Sequence, residues 1–252
     1  MELGDTFGAL LVGIFISAIL FGVTNLQVFI YFKSYSNDPT WTKLSVCYLW
    51  VLDALQLAFS FHVAYFNLIV NYFNPPGLLR LAWSFKAQDI VGSVAISSVQ
   101  TLYAIRVWSL DKALNRGKRI RGVMPITVAI LTCAGYAATI VLCYTLVSVK
   151  SDSTLRLLGE KWIMYYTLSI WVGVDVAIAG CMSFLLFRSR TGFRRTDSMI
   201  TVLMLYTLST GTITTLCSLL AIATTAALPK TFVFAAVEFS QTKLYVNSFM
   251  AM

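Results

Sequence analysis

The sequence predicts an all-α fold, an integral membrane bundle of seven transmembrane helices. Three observations carry this. Of the 252 residues, 58% are hydrophobic and only 12% are charged, where a soluble domain carries roughly 25% charged residues. The mean hydropathy is +0.76, so a water-soluble form would expose apolar patches large enough to aggregate. The apolar residues also fall into runs of membrane-spanning length, about 20 residues for a 30 Å hydrocarbon core. Strands fit poorly, because barrel strands alternate over about ten residues and these runs are longer, with no period of two.

Residues 1–252 read as a single domain. The first helix covers about 8–32 and follows an acidic start, MELGD, that lacks the positive n-region of a cleaved leader. It is therefore expected to be retained. The second covers about 44–66, with a possible extension to Phe73, and stops at Asn74-Pro75-Pro76-Gly77. The third covers about 87–109. The fourth, about 122–149, holds Pro125 in its first turn, where proline is tolerated. The fifth covers about 162–187. The sixth, about 198–227, ends at Leu228-Pro229, and the seventh covers about 231–252.

The net charge of +8 sits mostly between helices. Twelve of the Lys and Arg residues, including Arg106 and the run from Lys112 to Arg121, fall at the ends expected to share one side, against six on the other. The positive-inside rule then puts the N-terminus outside and the C-terminus in the cytoplasm. Anionic lipid headgroups at the cytoplasmic face are the expected partner of this charge. No basic run is interleaved with aromatics in a polar context, which argues against nucleic acid. Neither the particular membrane nor the oligomeric state is legible.

Cys47, Cys133, Cys143, Cys181 and Cys217 all lie in apolar runs, which argues against a disulfide framework. With one histidine and no CxxC, no metal site and no cofactor is expected. Lys243 in the seventh helix invites a retinal site. The aspartate an opsin carries four residues earlier is Phe239 here, and Glu238 is five before.

Ionisable groups in a bilayer turn toward the bundle interior and find partners there. Asn25, Asp53, Gln56, Asp175, Lys243 and Asn247 form the expected buried polar core. Asp53, Gln56 and Ser60 share one helix face by their spacing. Asn25, Asp53 and Asn247 fall at similar depth, a polar knot of helices one, two and seven. Lys243 needs a carboxylate, either Asp53 or Asp175, and the sequence leaves the choice open. His62, Asp89 and Glu238 fall in the outer half and form a candidate ligand pocket if they converge. Gly173, Ala177 and Cys181 are spaced as a close-packing ridge on helix five.

Several stretches resemble a known family. They are Gly8-Ala-Leu-Leu-Val-Gly-Ile-Phe, Leu49-Trp-Val-Leu-Asp-Ala, Arg106-Val-Trp-Ser, Arg195-Thr-Asp-Ser, Leu203-Met-Leu-Tyr-Thr and Lys243-Leu-Tyr-Val-Asn-Ser. Together they look like a large family of fungal seven-helix membrane proteins, abundant in mushroom-forming basidiomycetes and known as a domain of unknown function. The resemblance spans nearly the whole chain. It implies membrane residence and fungal origin, and no settled activity. Two features depart from the pattern. Gln56 stands where such proteins usually carry a histidine, and their cytoplasmic tail usually continues beyond the seventh helix, whereas this chain stops at Met252.

The expected function is receptor-like sensing of an unknown small ligand within the bundle. Asp-Arg-Tyr and Asn-Pro-x-x-Tyr motifs are absent. A transporter or channel is one alternative, faintly supported by the similar closings Phe29-Ile-Tyr-Phe-Lys-Ser and Phe184-Leu-Leu-Phe-Arg-Ser. A membrane-embedded enzyme of the terpene-cyclase type, protonating an isoprenoid from Asp53, Asp89, Asp175 or Glu238, is another.

Overall fold

A computed structural model of the chain describes residues 3–35, 37–71, 83–114, 123–148, 161–189, 194–227 and 233–251. These are helical almost throughout. In chain order they form α1 (Leu3–Ser34), α2 (Thr40–Tyr65), α3 (Trp83–Leu114), α4 (Val123–Ser148), α5 (Lys161–Arg188), α6 (Arg194–Ala227) and α7 (Val233–Ala251). Six of them, α1 to α6, are long and apolar enough to cross a membrane, so the chain reads as an integral multi-pass membrane protein. The shorter α7 is not among these six. Its sequence carries Glu238, Gln241, Lys243 and Asn247 within ten residues.

Helix ends follow local chemistry. Pro39, which cannot donate a backbone hydrogen bond, stands just before α2. At its other end α2 widens into a π-turn, Phe66–Val70. Both the backbone N–H and the side-chain Nδ2 of Asn71 donate to the carbonyl of Phe66, each at 3.1 Å. That five-residue closure ends the helix short of the proline pair. The third helix runs four residues earlier and five later than expected, and both extensions bury polar side chains, Ser84 and Asp111.

The helices close a ring. Each packs on its neighbour in sequence, and α7 closes the circle against both α1 and α6. The third helix crosses the middle and touches α2, α4, α5 and α7. Bulky apolar side chains face outward, among them Phe15 and Ile19 on α1, Ile130 and Tyr144 on α4, and Leu216 on α6. Such a surface is suited to lipid. Polar side chains fill the inside instead, with Ser84, Gln88, Asp89, Ser93, Ser97 and Gln100 of α3 all buried.

Two apolar clusters bracket this polar layer. One, at the end where α2 leads to α3, joins Leu10 and Ile14 of α1, Val63 of α2, Phe85 of α3, and Ala235 and Phe239 of α7. The other runs through the rest of the bundle, around Leu49, Val99, Trp171, Met182 and Val246. Close helix approach occurs at Gly13, where a Cβ would stand 2.6 Å from the Cα of Ala236, and at Gly211, where it would stand 2.9 Å from the Cβ of Ala179. The ridge expected on the fifth helix makes no contact at its first residue: Gly173 is exposed, and a Cβ there would meet nothing within 4 Å, while Cys181 packs on the larger apolar cluster. Small residues on α5 are used one face round, at Ala179.

Candidate functional site

The polar interior is organised around α7. Residues 243 and 247 lie on one face of that helix, and 241 and 245 lie on nearly the opposite face, because each residue turns the helix by about 100°. The first face meets α1 and α2. Lys243 Nζ stands 2.7 Å from Asp53 Oδ1, with both side chains fully buried. It also donates to the backbone carbonyl of Asp53 and lies 5.3 Å from the centre of the Phe21 ring. Of the two acids open to Lys243 by sequence, Asp53 is therefore its partner.

Thr24 and Asn247 complete this group. Thr24 Oγ1 lies 3.0 Å from Asp53 Oδ2 and 2.8 Å from Asn247 Oδ1. Its single proton can serve one of them at a time. Asn247 donates from Nδ2 to the Leu20 carbonyl at 3.0 Å. Asn25, expected in this core, requires a correction. It is exposed, donating to the Phe21 carbonyl and accepting from Trp50 Nε1 at 2.8 Å. One residue of helical rotation separates it from the inward Thr24, so it clips α1 to α2 on the outer surface instead.

The opposite face of α7 holds Asp175. Gln100 Nε2 donates to Asp175 Oδ1 at 3.0 Å, and the Tyr245 hydroxyl donates to Oδ2. Gln241 Nε2 donates to Ser218 Oγ at 2.7 Å. This network ties α3, α5, α6 and α7. Sequence reasoning missed Thr24, Gln100, Gln241 and Tyr245. The spacing of Gln241 and Tyr245, four apart and out of phase with Lys243, was the available signal.

A third group lies between α2, α3 and α7. Gly92 lets α3 come close to its neighbours: a Cβ there would stand 3.1 Å from both Gln56 Nε2 and Thr242 Oγ1. One turn away on the same faces are Gln88 and Asp89 of α3 and Glu238 of α7. Glu238 is the charged group whose field bears on Asp89. His62 does not share their surroundings. It is exposed, its Nδ1 lies 2.9 Å from Ser84 Oγ, and its ring packs near Trp83 and Phe66. Of the three residues expected to converge, His62 stands apart, and Gln56 and Gln88 lie beside Asp89 and Glu238.

These side chains leave acceptors unused. Gln56 Oε1, Gln88 Oε1 and Asp89 Oδ1 are buried without a hydrogen-bond partner among the described residues. A buried polar atom left unpaired costs about 1–3 kcal/mol, so three in one region mark a place where donors belong. Groups of three or more His, Cys, Asp or Glu arranged to hold a metal ion are absent among the described residues. The five cysteines are free thiols.

Residues 171–252 match the model of a family of unknown function, DUF6534. A domain of unknown function therefore occupies the last third of the chain. No curated protein and no solved structure matches the chain. The DUF6534 segment contains Asp175, Glu238, Gln241, Lys243, Tyr245 and Asn247. Their partners Thr24, Asp53, Asp89 and Gln100 lie outside it. Each interior network is thus split between the DUF6534 segment and the helices before it.

Proposed function

We propose that this protein is a seven-span membrane sensor, with its N-terminus outside and its C-terminus in the cytoplasm, that binds a small ligand inside its bundle. On this reading α7 is the seventh span, and the fungal seven-helix resemblance extends to the whole chain. The observation that carries the sensing role is the position of α7. It bears Glu238 and Thr242 beside the unpaired acceptors of α2 and α3, and a turn further on it bears both Lys243 and Tyr245. A ligand that moved α7 by a fraction of a turn would act on both networks, so binding at one level is felt by five other helices. Signalling requires such differential contact in two states.

The positive-inside orientation gives the sensor a direction. The Asp89–Glu238 end faces outside, and the end carrying most of the Lys and Arg residues meets anionic headgroups. An acid-initiated cyclase has less support. Of its four candidate acids, Asp53 and Asp175 are held by Lys243, Thr24, Gln100 and Tyr245, which leaves it only Asp89 and Glu238.

The test is a thermal-shift screen of the purified full chain against small molecules, paired with co-purification of cytoplasmic proteins. Sensing predicts compounds that raise the unfolding temperature and change which proteins are recovered. A screen with no stabilising compound, and recovery that no compound alters, sinks the reading.

A further inference from the structure

Two contacts between α3 and α7 bound a short stretch of their interface. On one side of it the rings of Phe85 and Phe239 meet with centroids 6.1 Å apart. On the other side Gly92 lets Gln56 and Thr242 approach within 3.1 Å of where a Cβ would be. Asp89 lies four residues after Phe85 and three before Gly92. Glu238 lies next to Phe239 and four before Thr242. Asp89 therefore falls between the two contacts, and Glu238 stands just before Phe239, on the face of α7 that carries Thr242.

This stretch carries buried hydrogen-bond acceptors. Gln56, Gln88 and Asp89 are at least nine-tenths buried, and each has an oxygen without a partner among the described residues. The Gln56 amide lies against Gly92, one turn from Asp89. Two carboxyls and two amide carbonyls ask for a group with positive charge and several donors. A primary ammonium carries three N–H donors and one charge, matching the three unpaired oxygens.

We propose that Asp89 and Glu238, with Gln56 and Gln88, form a binding site for a primary ammonium group on an organic ligand with an apolar body. The apolar body follows from the buried cluster of Leu10, Ile14, Val63, Phe85 and Phe239 next to these polar groups. A polyamine would set further charges against those side chains. The inference rests on the ligand-sensing reading and supplies its ligand class.

The test uses the purified full chain in detergent, with N-methyl-D-glucamine as the only buffer cation and butylammonium as probe. Equilibrium dialysis and thermal unfolding both read binding. The expected result is saturable butylammonium binding with a raised unfolding temperature, and neither effect from butanol or butyrate. Asp89→Asn and Glu238→Gln, made separately, each weaken binding about thirtyfold or more, as removal of one partner from a buried charge pair does. If neither variant folds, the wild-type comparison of butylammonium with butanol decides. Equal effects of butanol and butylammonium overturn the site, as does stabilisation by sodium that butylammonium does not compete away. No butylammonium binding, alongside stabilisation by an uncharged compound in the wider screen, overturns the ammonium site and leaves ligand sensing standing.

Discussion

Lys243 and Asp53 face each other at 2.7 Å with no exposure to solvent. Such a pair in an apolar surround has a large desolvation cost, so its two halves are worth little apart and depend on one another. Lys243→Met leaves the Asp53 carboxylate unpaired, and breaking a buried pair in this way costs about 3–5 kcal/mol. The double change, Lys243→Met with Asp53→Asn, removes both charges and is expected to unfold at a higher temperature than either single variant. Thermal unfolding in detergent checks this. Strictly additive losses would show that the two side chains do not act as a pair.

The Asp175 carboxyl is a second fixed point, held by Gln100 from α3 and Tyr245 from α7. Tyr245→Phe keeps the buried ring and removes only the hydroxyl. A hydrogen bond to a charged group contributes about 1.5–3 kcal/mol, and a loss of that size is expected. Gln100→Leu should cost a similar amount, and the two together less than their sum, because they share one acceptor. A double-mutant cycle on unfolding measures the coupling.

Thr24 and Asn25 separate an inward from an outward polar side chain at adjacent positions. Thr24→Val keeps the shape and removes a hydroxyl that bridges Asp53 and Asn247. Leaving buried partners unsatisfied costs about 1–3 kcal/mol. Asn25→Ala removes an exposed contact with Trp50 and is expected to cost less than half as much. Unfolding temperatures that rank the two variants the other way would place Asn25, not Thr24, in the core.

Those two residues also mark what sequence can and cannot resolve. Apolar run length located all seven helices to within a few residues, because that signal is summed over twenty positions. Depth along each helix was equally legible, since rise per residue is fixed: it sets Asn25, Asp53 and Asn247 at a similar level and Asp53 within reach of Lys243. Rotation about the axis was not legible. In a soluble helix the apolar stripe reports it, but here both lipid-facing and core-facing positions are apolar, as Phe15 outside and Ile14 inside show. Depth alone therefore points Asn25 inward and gives no reason to single out Thr24. The partner of Lys243 was undecidable for the same reason: Asp53 and Asp175 both fit in depth, and only the packing of α7 between α1 and α6 distinguishes them. His62, exposed and bonded to Ser84, likewise stands apart from Asp89.

The glycines give a last test of rotation. A side chain at Gly13 would run into the backbone of Ala236 on α7, with a Cβ only 2.6 Å from its Cα. Backbone cannot swing aside as a side-chain end can, so Gly13→Ala must push α1 away from α7. Overpacking of this kind costs about 1–3 kcal/mol, more than the 0.5–1 kcal/mol or so that alanine gains over glycine within a helix. It also disturbs the helix that carries Thr24 to Asp53. At Gly173 a Cβ meets nothing within 4 Å, so Gly173→Ala keeps the helical gain of roughly 0.5–1 kcal/mol and loses nothing. The expected outcome is opposite shifts in unfolding temperature from one chemical change. If Gly173→Ala were the damaging substitution, α5 would be packing through the small-residue ridge that its sequence suggests, and the α5–α6 contact at Ala179 and Gly211 would have to be abandoned.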